Sequence, residues 1–116
     1  MNVVFHIDDE KRWPLVQGNV THMLSYCEDS GNDYHIEIVV NGRAVRQLRQ
    51  EGATQLEYAD IFDDFMKRGV VIAGCRNALK AQKIEIEELL SGVSTVASGV
   101  VELALKQQEG YAYIKP

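Results

Sequence analysis

The chain has 116 residues, 46% of them hydrophobic and 25% charged, which is one domain's worth of sequence and enough for a core without disulfide or metal staples. Its net charge of −5 and scattered basic residues argue against a nucleic-acid backbone as partner. No apolar stretch approaches the roughly 20 residues of a membrane span. The opening run is strand-like and lacks the basic-then-apolar order of a signal peptide, so a cytoplasmic protein with no membrane partner is expected.

In chain order, "NVVFHI" (2–7) reads as a strand with apolar residues on both alternating faces, which predicts a central place in a sheet. Trp13, Val16, Val20, Met23, Leu24 and Cys27 then fall on one face of a helix, with Pro14 tolerated in its first turn. "SGND" breaks the chain before a second strand, "YHIEIVV", which Asn41-Gly42 closes. A short helix is expected through Ala44, Val45 and Leu48, interrupted by "QEGAT". Tyr58, Ile61, Phe62, Phe65 and Met66 mark the next helix, and Gly69 suits its left-handed cap. The run Val70-Val71-Ile72-Ala73 is a third strand, and Ala78, Leu79 and Ala81 among Arg76, Lys80, Gln82 and Lys83 suit a partly exposed helix after it. "VSTVA" is a short fourth strand. Ser98 to Gly110 is a helix opened by the serine and closed by the glycine, and "YAYIKP" is a fifth strand.

Strands alternating with helices, and apolar along their length, predict parallel pairing. The expected fold class is α/β: one domain over 1–116, a three-layer α/β/α sandwich around a five-stranded, doubly wound parallel sheet. Ligands of such sheets bind beyond the carboxyl ends of the strands. Those ends carry His6 to Asp9, Asn41-Gly42, Gly74 to Asn77, and Ala97 to Gly99, so these residues should converge on one edge.

Cys75 is the strong nucleophile of that set, placed where a strand gives way to a helix. Helix-end N–H groups with Arg76 and Lys80 would favour a solvent-reachable, reactive thiolate there. A small residue packed at a strand–helix junction explains the same placement. His6 and Asp8 share a strand face; His6 is either a partner for the cysteine or a hydrogen-bonded core histidine, and Asp8 should reach the site. Asn41 and Gly42 would lend amide and backbone groups to an anion or simply form a turn. Asn77 would orient a ligand or solvate its helix end, and Ser98-Gly99 would cap a helix or bind an anion at it. Trp13 suits core, interface or pocket wall, and Cys27 is expected buried and silent.

Neither cysteine belongs to a C-x-x-C pair, and His6, His22 and His35 match no ligand spacing, so no metal site and a reduced compartment are expected. No P-loop or G-x-G-x-x-G run points to a nucleotide, and no cofactor is expected. The helix "VVELALKQQ" has an apolar arc wider than one core-facing stripe, and with Tyr111 and Tyr113 it predicts contact with neighbouring subunits.

The segments "VVFHIDD…W", "VVNGRAV", "RGVVIAGCRNALKAQKI" and "SGVVELALKQQEGYAYIKP" resemble the small, single-domain branch of the DsrE/DsrF-like family, nearly throughout and in order. The resemblance implies the strand order 4-3-2-1-5 and homo- or hetero-oligomers, here a homotrimer or a hexamer of two trimers. It also implies a cysteine that carries sulfur as a persulfide, matched by Cys75, with sulfur-relay proteins as partners. The expected function is therefore sulfur handling through Cys75, as sulfurtransferase or carrier. The competing reading is a non-catalytic oligomeric module that binds a small anion at the same sheet edge.

Overall fold

The computed structural model describes all residues, 1–116. Five strands, β1 (Asn2–Ile7), β2 (His35–Val40), β3 (Val71–Cys75), β4 (Ser94–Val96) and β5 (Ala112–Ile114), form one sheet in the order β4-β3-β2-β1-β5. Every pairing is parallel. The helices are α1 (Trp13–Asp29), α2 (Gln50–Gln55), α3 (Ala59–Lys67), α4 (Arg76–Ala81) and α5 (Gly99–Gln108). The α/β architecture and the strand order thus agree with expectation. β1 is interior, between β2 and β5, although the middle position belongs to β2.

From β1 to β4 the chain steps in one direction across the sheet, and only the return from β4 to β5 reverses. Right-handed crossovers then require the first four helices on one face and α5 on the other. Packing follows this division. Val3, Phe5 and Ile7 of β1, Ile36, Ile38 and Val40 of β2, and Ile72 of β3 face a core of 21 buried residues that includes Trp13, Phe62 and Leu79. Val4 and Val39 point the opposite way, into a cluster of only 3 buried residues completed by Leu103 of α5. The second face is therefore thinly covered, and Val100, Val101 and Leu105 of α5 remain exposed beside Val71 and Tyr113.

Trp13 and Cys27 are fully buried, the indole donating to the Ala44 carbonyl at 3.2 Å. Both cysteines are free thiols. Gly69 and Gly110 take positive φ after α3 and α5, as their place after each helix requires.

The segment after β2 departs from expectation. Gly42–Leu48 is a 3-10 helix, and "QEGAT" does not interrupt a helix but forms α2 itself. The cause is a close approach of main chains: a β-carbon on Gly52 would lie 2.5 Å from the Arg46 carbonyl oxygen. Glycine there permits helix-to-turn packing, which outweighs its low helix propensity. No helix is long and apolar enough to cross a membrane.

Candidate functional site

The carboxyl ends of β1, β2, β3 and β4 meet on one edge, as parallel pairing in register demands. His6 and Asn41 follow Val4 and Val39 on the thinly covered face, because side chains alternate along a strand. There they bond: the His6 Nε2 lies 3.0 Å from Asn41 Oδ1, and His6 Nδ1 lies 2.7 Å from the Tyr113 hydroxyl. An amide oxygen only accepts, so neutral His6 donates from Nε2 and receives the tyrosine proton at Nδ1. The chain Tyr113–His6–Asn41 therefore runs in one direction across β5, β1 and β2, and it leaves the Asn41 amide NH2 free to donate elsewhere.

That NH2 faces the start of α5. A β-carbon on Gly99 would stand 3.1 Å from Asn41 Nδ2 and 3.3 Å from the β-carbon of Cys75. Asn41, Gly99 and Cys75 thus touch around one point, with glycine supplying the space. Gly42 is equally constrained. Its φ is +58°, and a β-carbon there would meet the Asp8 carbonyl oxygen at 2.7 Å. Asp8 itself points outward to Lys115, 3.2 Å away, in an exposed ion pair.

Cys75 is the last residue of β3 and the N-cap of α4, its sulfur accepting the Ala78 N–H at 3.4 Å. The residue is 5% exposed, so the isolated chain holds the sulfur under cover; it is not the solvent-reachable group expected of a free thiolate. Asn77 is exposed in the first turn of α4 and makes no side-chain hydrogen bond. Ser98 stands at the N-cap of α5, yet its hydroxyl makes no capping bond, in contrast to the serine-opened helix expected. Its backbone carbonyl accepts the Glu102 N–H, and the tight fit of Gly99 sets the approach of the chain.

The helix after β3 turns to one face and the helix after β4 to the other. Between these two strand ends lies the topological switch point of the sheet, where α/β folds bind ligands. Cys75 ends the first strand and Gly99 follows the second.

Three groups near this face take roles that the sequence reading does not assign them. Tyr113 appears there as an interface aromatic and not as a partner of His6; its place depends on the register Val4↔Tyr113. Lys115 reaches Asp8 from the chain's last residues. Glu37, inside the apolar run of β2, is 7% exposed under α5, and its Oε2 has no hydrogen-bond partner. Burial first, and then the neighbouring Glu102, push its carboxyl up to about 8 against the opposing effect of Lys106. A lone charge within "HIEIVV" was the available signal.

The DsrE/DsrF-like family pattern matches residues 19–116. The chain belongs to the DsrE/DsrF-like family. A solved DsrE-like structure similar to it, the protein of unknown function MTH1491 from Methanobacterium thermoautotrophicum, is 36% identical, with 99% of this chain and 98% of that one covered and a TM-score of 0.87. The conserved protein of unknown function BT1422 from Bacteroides thetaiotaomicron aligns over 99% of this chain and 94% of its own, at 13% identity and TM-score 0.73. The ychN protein from E. coli aligns over 99% and 97%, at 14% identity and TM-score 0.70. These two share the DsrE-like fold. No curated protein matches the chain. Membership in the family suggests a sulfur-related role, and the switch-point position of Cys75 gives that role one candidate atom.

Proposed function

We propose that this DsrE/DsrF-like protein is a single-domain cytoplasmic sulfur carrier in which Cys75 accepts and passes on sulfane sulfur. The observation that carries the reading is the position of Cys75 at the switch point of a DsrE-type sheet, against Gly99 and beside the free amide of Asn41. In the transfer, the Cys75 thiolate attacks the outer sulfur of a donor persulfide. One S–S bond forms on Cys75, the donor's S–S bond breaks, and the donor leaves as its thiolate. A nucleophilic thiolate on an acceptor protein then takes the sulfur and restores Cys75. Ala78 N–H donates to the sulfur, and His6 with Tyr113 orients the Asn41 amide, whose NH2 end packs on Gly99 as Cys75 does. Asp8 and Gly42 shape the adjoining rim, and Asn77 and Ser98 lie at its margin.

Because Cys75 is nearly covered, a donor reaches it only after a small opening at the start of α5, where Gly99 is the contact. The exposed arc of Val100, Val101 and Leu105 with Tyr113 supports a homo-oligomer, a trimer or a hexamer of two trimers, built on the thinly covered face. Sedimentation at micromolar concentration tests that assembly, and a monomer at all concentrations would remove it.

The covered sulfur and its capping bond favour one alternative, a non-catalytic module that binds a small anion at the same edge with Cys75 as a structural cap. Intact-mass analysis after exposure to a persulfide donor separates the two. The carrier gains whole sulfur atoms on the native protein, and Cys75→Ser abolishes the gain while keeping the fold. Equal gain by the serine variant, or none by the wild type, decides against the carrier.

A further inference from the structure

A concave surface runs along α4, and Cys75 is not among its lining residues. It is a groove of about 370 Å³ between α4 and the segment that leads to the 3-10 turn Ile86–Glu88. Leu79 and Ile84, both nearly buried, line it, and Ile86, 52% exposed, lines its outer part. Arg76, Lys80 and Lys83 line it as well. Arg76 and Lys80 are four residues apart, hence on one side of the helix.

None of these three cations has a carboxylate within ion-pair distance, although the chain is acidic overall. Arg76 is instead directed along the sheet edge, donating to the Thr95 hydroxyl at 3.2 Å. Glu85 is the acid that lines the groove, and its side chain is engaged in a reciprocal capping box with Glu88. It accepts a backbone N–H there and does not pair with the lysines. Lys83 adds a second departure from the expected pattern. It follows α4 with φ +58°, the left-handed cap position that glycine fills most cheaply. A long cationic side chain is held there in a backbone conformation that L residues rarely adopt.

We propose that this groove binds a small organic acid, its short alkyl or aryl body on Leu79, Ile84 and Ile86 and its anionic group between Arg76, Lys80 and Lys83. Charge complementarity selects the acid, the apolar floor selects the body, and the volume admits a small molecule and not a folded segment. Arg76 also reaches β4, where it donates to Thr95, the residue before Val96 that pairs with Cys75.

Hexanoate is the probe, followed by amide chemical shifts of the full chain, with hexan-1-ol and inorganic phosphate as parallel titrations. The expected result is a saturable response of residues 76–86 to hexanoate and a much weaker one to the other two. Lys80→Ala combined with Lys83→Gly should weaken hexanoate by about tenfold, the loss of about 1.4 kcal/mol. Glycine suits the backbone at position 83, so that variant keeps its fold. Cys75→Ser should bind hexanoate as the wild type does, which separates this site from the sulfur chemistry. No response to hexanoate, an equal response to phosphate or to hexan-1-ol, or unchanged affinity in the double variant each overturns the proposal.

Discussion

His6 donates from Nε2 to Asn41 Oδ1 across 3.0 Å, joining the carboxyl ends of the two adjacent strands β1 and β2 through their side chains. The bond fixes which histidine nitrogen carries the proton and which end of the amide faces α5. Through it a tyrosine on β5 sets the orientation of an amide that packs against Gly99, as Cys75 does three strands away from that tyrosine.

Neutral His6 should therefore be the Nε2–H tautomer, with Nδ1 accepting from Tyr113. Imidazole ¹⁵N shifts read this directly. Tyr113→Phe should leave the sheet intact and cost about 0.5 kcal/mol, at the low end for a hydrogen bond because the tyrosine is 40% exposed. A dominant Nδ1–H tautomer in the wild type would contradict the directed chain.

Gly99→Val should destabilise the fold by about 1–3 kcal/mol, since its first added carbon already meets Asn41 at 3.1 Å and Cys75 at 3.3 Å. Urea midpoints measure the loss. The same variant should slow modification of Cys75 by small alkylating reagents, because the added bulk fills the space between Gly99 and the β-carbon of Cys75.

Gly42→Ala should cost about 2 kcal/mol or more. Alanine is strained at φ +58°, and its methyl would stand 2.7 Å from the rigid backbone oxygen of Asp8. A matched substitution at Gly31 tests the second cause, because that glycine also has positive φ but open space around it. Its loss should be the smaller one in parallel urea titrations.

Glu37 makes stability depend on pH in an unusual direction. Its folded pKa, near 8, lies above the ordinary 4.5, so the folded state binds the proton more tightly than the unfolded chain. The stabilisation is complete below about 4.5, declines as pH rises, and is lost once pH passes 8. Within that window stability should fall steadily as pH rises. The facing groups are Glu102 and Lys106 on α5 and Glu109 at its C-terminal cap, while the paired neighbours on β1 and β3, Val4 and Val71, carry no charge. Glu37→Gln should flatten the dependence and be the more stable protein at pH 8–9, and urea titrations from pH 4.5 to 9 will show whether it does.

Much of this protein was legible in the chain itself. Apolar runs such as "NVVFHI" and "VVIA" can be satisfied only inside a sheet, and the helical spacing of Trp13, Val16, Val20, Leu24 and Cys27 demands a core on one side. From these follow the α/β class, and from strand ends the edge where His6, Asn41, Gly99 and Cys75 gather. Tertiary structure alone decided the rest, because it depends on distances between segments far apart in sequence. The register of β5 against β1 turned Tyr113 into a partner for His6. The seating of α5 buried Glu37 and brought Gly99 against Cys75, and the approach of Gly52 to Arg46 made α2 a helix. Local sequence sets which residues can form a strand or a helix; the free energy of a buried carboxylate, a covered thiol or a glycine contact is set by what the completed fold packs against it.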